Sequence, residues 1–242
     1  MTRFTRLALA AGVAILLPGT AAAQARHYAL ESVDGLRLHN VTAEPVTLQG
    51  KKAVRLTLAD ETMRQLERMS PAERGQVDLS LLASIEGLEF SNGVIELEVA
   101  GAPAPGAGEG ARGFIGIAFR VQGDQKTYDA FYLRPTNGRA DDQERRNHSV
   151  QYISRPEWPW FRLRKENPEK YEAYVDLVPS EWTKIKIEVR GDRARLYVHG
   201  NEQPTLIVND VKSGAQAKGA VALWLEPGTI AHFRNLTVTP SP

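Results

Sequence analysis

Hydrophobic and polar residues alternate with a period of two in a series of short runs, and Gly, Pro, Asn and Asp separate the runs. In residues 53–58, Val54, Leu56 and Leu58 share one face. In 94–99, Ile95, Leu97 and Val99 oppose Glu96 and Glu98. Ile115, Ile117, Phe119 and Val121 align in 114–121, and a further run, 128–134, follows a polar turn. Ile185, Ile187 and Val189 alternate with Lys184, Lys186 and Glu188. Leu196 with Val198, then Val221 with Leu223 and Leu225, then residues 233–238 complete the set. Such patterning between turn signals predicts an all-β antiparallel fold. Gly191-Asp192 between two of the runs predicts a hairpin turn.

Two stretches break the rhythm. In 61–74, Met63, Leu66 and Met69 have helical spacing before Ser70-Pro71, which predicts a short surface helix. Residues 101–113 (GAPAPGAGEGARG) predict a long flexible loop. Neither side of that loop carries an obvious complete core, so one domain spanning 26–242 is expected.

Strand parity turns the runs into faces. If Ile95, Leu97, Ile115, Ile117 and Phe119 fill the core, the opposite face carries Glu96, Glu98, Gly116, Ala118 and Arg120. The same parity adds Ala130, Tyr132 and Arg134, and then Ala222, Trp224 and Glu226. Small residues beside Glu, Arg, Tyr and Trp predict a concave polar face with an aromatic platform. Sugars suit such a face, because their C–H surfaces stack on rings and their hydroxyls take charged or bidentate partners. The alternative is a solvated face laced with cross-strand ion pairs, Glu98 to Arg120 for example.

The most polar stretch, 134–152, holds Arg134, Arg139, Arg145, Arg146, Asp141, Asp142, Asn147, His148 and Gln151, and it runs on to Trp158, Trp160 and Phe161. A connection of that length inside a compact domain is commonly functional. It is expected to fold over the rim and deliver Arg146, Asn147, His148 and Gln151 to a saccharide. Arg134→Ala and Asn147→Ala should then each weaken binding by roughly 1–3 kcal/mol with little effect on melting. His148 is the single residue best suited to general acid–base work at neutral pH. Asp141-Asp142 supplies only part of a calcium ligand set, so no cofactor is expected beyond this weak calcium signal. Zinc spacings, GxSxG, P-loop and dinucleotide-binding glycine patterns are absent from the sequence.

The runs 90–99 (FSNGVIELEV), 113–120 (GFIGIAFR) and 132–134 resemble those of concanavalin A-like lectin/glucanase sandwiches. They are most similar to bacterial laminin G-like domains and to domains described as 3-keto-disaccharide hydrolase or family 16 glycoside hydrolase-like. Residues 219–225 (GAVALWL) and 232–238 (HFRNLTV) resemble the closing strand pair of such domains. The resemblance covers about residues 28–240 and implies a two-sheet jelly roll that handles carbohydrate. Glu96 and Glu98 stand two residues apart, roughly 6.7 Å along a strand, a spacing open to glycosidase chemistry. The Glu-x-Asp-x-x-Glu pattern of the family 16 hydrolases is not met, because Gly101 stands where its third acid belongs. Asp129, His148 or Glu226 would have to supply the second group.

Composition narrows these readings. Residues 1–25 have the form of a secretory signal peptide: Arg3 and Arg6, an apolar run from Leu7 to Leu17, then Ala-rich cleavage positions. An exported protein, periplasmic or secreted, with no membrane span after cleavage is expected. Removing the leader moves the formal net charge from +1 to −1, which argues against a nucleic-acid partner. With no cysteine in the chain, disulfides, thiolate metal sites and cysteine nucleophiles are excluded. The expectation is a saccharide-binding protein using Arg120, Tyr132, Arg134, Arg146, Asn147, His148, Gln151 and Trp224. The alternatives are a glycoside hydrolase-like enzyme using Glu96, Glu98, His148 or Glu226, and a non-catalytic interaction module.

Overall fold

A computed structural model describes residues 24–70, 73 and 79–241. Most of the predicted leader, and the end of the predicted helix, lie outside the described residues. The chain forms two antiparallel sheets packed face to face. In spatial order, the first sheet contains β13 (Leu206–Val208), β12 (Arg193–Val198), β11 (Thr183–Arg190), β6 (Asn92–Pro103), β15 (Thr229–Ser241), β4 (Lys51–Leu58) and β3 (Val41–Leu48). The short β1 (Arg26–Tyr28) also pairs with β15. The second sheet runs β10 (Glu172–Ala173), β9 (Val150–Arg155), β8 (Tyr128–Leu133), β7 (Ile115–Val121), β14 (Ala220–Leu225), β5 (Leu81–Ile85) and β2 (Leu36–His39). The predicted β-sandwich is therefore the observed fold.

The two sheets meet their surroundings differently. In β6 and β11 of the first sheet, buried residues alternate with more exposed ones, as expected for a sheet with one wet face. Ile95, Leu97, Ile185, Ile187 and Phe233 point into a continuous core, where they meet Ile117, Phe119, Phe131 and Leu223 of the second sheet. Each such side chain contributes roughly 1.5–3 kcal/mol through removal from water. In β5, β7 and β8, by contrast, every residue is buried. Something must cover the second sheet's outer face, and the connecting segments do.

Those segments are more structured than their composition suggests. Asp60 and Glu61 open helix α1 (Asp60–Glu67), where negative side chains favour the helix dipole. The polar stretch after β8 forms a 3₁₀ turn (Pro135–Asn137) and helix α2 (Gln143–Asn147). The Asp142 carboxylate caps α2 by accepting from Arg145 N at 3.0 Å. The stretch ends in β9, so Gln151 and Tyr152 are strand residues rather than loop residues. Helix α3 (Trp160–Glu166) follows. The Gly/Pro-rich stretch is not free either: Ala104 N donates to Gly228 O at 2.8 Å, and Thr136 N donates to Arg112 O at 3.3 Å. These bonds fasten it to the β14–β15 turn on one side and to the 3₁₀ turn on the other. Among the described residues, no helix is long and apolar enough to cross a membrane.

Candidate functional site

Register assembles the outer face of the second sheet. Trp224 of β14 pairs with Gly116 of β7, which pairs with Tyr132 of β8. A Cβ at Gly116 would collide with Phe131 O and with Tyr132. Without one, the two rings close over the glycine and stack with centroids 4.6 Å apart. Trp224 Nε1 donates to the Tyr128 hydroxyl at 3.1 Å. Burial pushes the Tyr128 and Tyr132 phenols up to about 12.

Arg134, just past the end of β8, ties this layer to the rim. Its Nη2 donates to the Tyr132 hydroxyl at 2.9 Å and to Gln151 Oε1 at 3.1 Å, and its Nη1 donates to His148 O at 2.9 Å. Gln151 is oriented in turn, with Nε2 donating to Tyr171 O at 3.2 Å. Beside it stands Glu172 of β10, opposite Gln151 in register. Arg164 of α3 holds Glu172 bidentately, at 3.0 and 2.7 Å. His148 Nδ1 lies 2.8 Å from Glu172 Oε2. Burial lowers the His148 pKa; Glu172 opposes the shift, while Arg164 and Arg134 add to it.

Three adjoining cavities run along this rim. The first, about 640 Å³, lies against Asn147, His148, Arg164 and Glu172. The central one, about 390 Å³, shares His148 and Arg164 with it and adds Arg112, Arg134 and Arg145. Burial lowers the Arg112 pKa, and Arg145 and Arg134 push it further the same way. The third, about 700 Å³, shares Phe114 and Trp160 with the central cavity and reaches Tyr132, Glu226 and α1. Glu226, just beyond β14, is partly buried, and desolvation pushes its carboxyl up to about 7 against the pull of Arg155 and Arg134.

The predicted site residues divide into three groups. Tyr132, Arg134, Asn147, His148, Gln151, Trp224 and Glu226 do gather at this face. Their roles differ from expectation: Tyr132 and Trp224 are 2% and 1% exposed, so they floor the site and offer no open platform. Arg134 is 5% exposed and holds three acceptors, so Arg134→Ala should loosen the rim as well as weaken a ligand. That corrects the expectation of unchanged melting. Arg146 turns aside to the Tyr174 hydroxyl, at 2.8 Å. Among the described residues, no group of three or more His, Asp or Glu is arranged to hold a metal ion.

Glu96 and Glu98 are elsewhere. They project from β6 on the outer face of the first sheet, across the core from Tyr132. Glu98 lies 3.5 Å from Lys51 Nζ and 3.3 Å from Arg234 Nε, and Glu96 lies 3.9 Å from Lys184 Nζ. Arg120 is also displaced. Ala118 pairs with Ala222 but Val121 with Ala220, so β7 carries one extra residue, and Arg120 has φ +55°. This bulge turns the side chain from the outer face into the end of the sandwich. There its guanidinium donates to Ser91 O, Gly191 O, Gly214 O and Ser213 Oγ at 2.8–3.1 Å.

Sequence reasoning missed Glu172, Arg164, Arg112 and Phe114. Glu172 sits in a two-residue strand, too short for any periodicity. Trp160, noted only as part of an aromatic flank, is 44% exposed and borders two cavities.

Residues 80–239 match the family described as the 3-keto-alpha-glucoside-1,2-lyase-like domain, which is well over half of the chain. The chain belongs to this family. Solved structures are similar to the lyase-like domain at low sequence identity. A Bacillus subtilis protein of unknown function with a galectin-like fold is 11% identical at a TM-score of 0.55, over 88% of this chain and 94% of its own. The carbohydrate-binding module CBM66 from Bacillus subtilis is 15% identical at a TM-score of 0.49, over 84% and 95%. The Bacillus licheniformis β-glucanase is 14% identical at 0.47, over 90% and 98%. No curated protein matches the lyase-like domain at a significant level.

Proposed function

We propose that the protein is an exported enzyme that cleaves a 3-keto-α-glucoside by elimination across C1 and C2. A ketone at C3 acidifies the C2 proton. With Nδ1 turned to Glu172, His148 has Nε2 left to take that proton, and its lowered pKa keeps the ring neutral at pH 7. The C2–H electrons form the C1=C2 bond, the C1–O bond breaks, and the departing oxygen takes a proton from Glu226. In the transition state, negative charge develops on the C3 oxygen. The observation that carries the proposal is that four arginines, Arg112, Arg134, Arg145 and Arg164, outnumber the carboxylates Asp142 and Glu144 in the lining of the cavity beside His148. Preorganised cations facing a developing enolate supply the largest kind of electrostatic rate enhancement. A glycosidase on the Glu96–Glu98 pair has no support from the geometry, and a lectin platform on Tyr132 and Trp224 would have no exposed ring. Export rests on the leader-like residues 1–25.

The test is product analysis by NMR. The mature protein should convert methyl 3-keto-α-glucoside into methanol and the unsaturated keto sugar, and leave methyl α-glucoside untouched. His148→Ala should lower the rate by roughly 10²–10⁴-fold, the range for a lost general base. Turnover of the unoxidised glycoside, or none of the ketone, would refute the lyase assignment.

A further inference from the structure

The cavities differ in chemistry from one end of the groove to the other, and this difference speaks to the half of the substrate that leaves. The central cavity is lined by four guanidinium groups and His148, with Asn137, Asp142 and Glu144 among them. Its neighbour beside α1 is lined by Leu58, Met63, Leu66, Phe114, Trp160 and Pro227 together with glycines and alanines of the 106–111 stretch. Amide, imidazole, guanidinium and ammonium side chains are all missing from that lining. Its polar side chains are Glu67, Glu226 and Tyr132, and the Tyr132 hydroxyl already accepts from Arg134. We infer that this end of the groove receives the aglycone, and that it selects an aryl aglycone over a second sugar. The inference rests on the lyase reading for its orientation, since Glu226, the proposed acid for the departing oxygen, lines this cavity rather than the central one.

Three further observations favour an aromatic occupant. Met63 and Trp160 are both 44% exposed and line the same cavity, so an occupant would cover both. The Trp160 ring is braced rather than free: Phe161 packs edge-on at 5.8 Å, and the Arg164 guanidinium lies 4.9 Å from its centroid. The opposite wall is fixed in advance. A Cβ at Gly228 would touch the Ala107 and Ala111 methyls at 3.4 and 3.7 Å, so the Gly/Ala stretch packs directly on the β14–β15 turn. A preformed slot walled by a braced indole favours a flat ring. A second sugar would find no amide or cationic side chain there to pair with its hydroxyls, and unpaired hydroxyls are costly to bury.

Calorimetric titration with p-nitrophenyl α-glucoside and methyl α-glucoside tests this directly. Neither ligand carries the ketone, so binding is read without turnover. The aryl glycoside should bind at least about tenfold tighter, equivalent to about 1.4 kcal/mol. Met63→Asp and Trp160→Ala, on separate elements, should each reduce that ratio several-fold. With 3-keto substrates, the aryl glycoside should likewise exceed 3-keto-trehalose in kcat/KM. Equal affinities, no aryl binding, or an aryl advantage unchanged in both variants would overturn the inference. An aryl advantage without elimination of any 3-keto glycoside would instead refute the lyase reading and leave the cavity assignment standing.

Discussion

At the residue scale, the proposed elimination depends on two groups held away from their ordinary proton affinities in opposite directions. Glu226 is pushed up to about 7 by burial, although Arg155 and Arg134 pull it down. His148 is lowered by burial, with Glu172 opposing. The acid must be protonated and the base neutral. The kcat/KM profile for a 3-keto-glucoside should therefore fall on the acid side through a pKa below 6.5, and on the alkaline side near 7. Glu226→Gln should remove the alkaline limb and slow turnover. The same group also predicts a stability effect of definite sign. The folded state holds the Glu226 proton more tightly than the unfolded chain, so stability is lost as pH rises from about 4.5 through 7, by up to about 3 kcal/mol. Glu226→Gln should therefore raise the melting temperature relative to wild type more at pH 8 than at pH 4.5. A pH-independent difference would mean that Glu226 is solvated and ordinary.

At the element scale, the lesson lies in β7. Alternation correctly sent Ile115, Ile117 and Phe119 inward and Gly116 and Ala118 outward, because period two follows directly from the pleat. It failed one residue later. Nothing in the letters Phe-Arg-Val marks the bulge, which arises from the register with β14, a strand about a hundred residues away. Past a bulge the faces exchange. The long polar connection shows the same limit. Its candidacy rested on its length and on His148, whereas Glu172 and Arg164 join the candidate site only through tertiary pairing. Arg120→Ala tests the corrected role. It strips three part-buried carbonyls of their donor and should cost about 1.5–3 kcal/mol in urea unfolding. Arg120→Lys should recover only part, since an ammonium cannot span carbonyls set in a fork. Glycoside affinity of the folded variant should stay unchanged, and a selective loss of affinity would return Arg120 to the site.

At the scale of the whole molecule, the sandwich divides its labour between two outer faces. The first sheet's alternation leaves Glu96, Glu98, Lys184 and Arg234 in contact with water, where ion pairs contribute at most about 1 kcal/mol each. The second sheet is roofed by the connections, and under that roof charges are desolvated enough to shift and to act. Hydrophobic patterning distinguishes inside from outside but not which outside face a strand presents, and this is why Glu96 and Glu98 joined the candidate site on sequence grounds. The double variant Glu96→Gln/Glu98→Gln decides between the faces. If the chemistry belongs to the roofed sheet, kcat/KM on a 3-keto-glucoside should stay within about twofold of wild type, and the loss of three ion pairs should change stability by no more than about 3 kcal/mol. Losing a nucleophile or general acid would instead cost orders of magnitude. A hundredfold fall in kcat/KM with unchanged melting would move the active site across the core to the first sheet, and His148, Glu172 and Glu226 would then be structural.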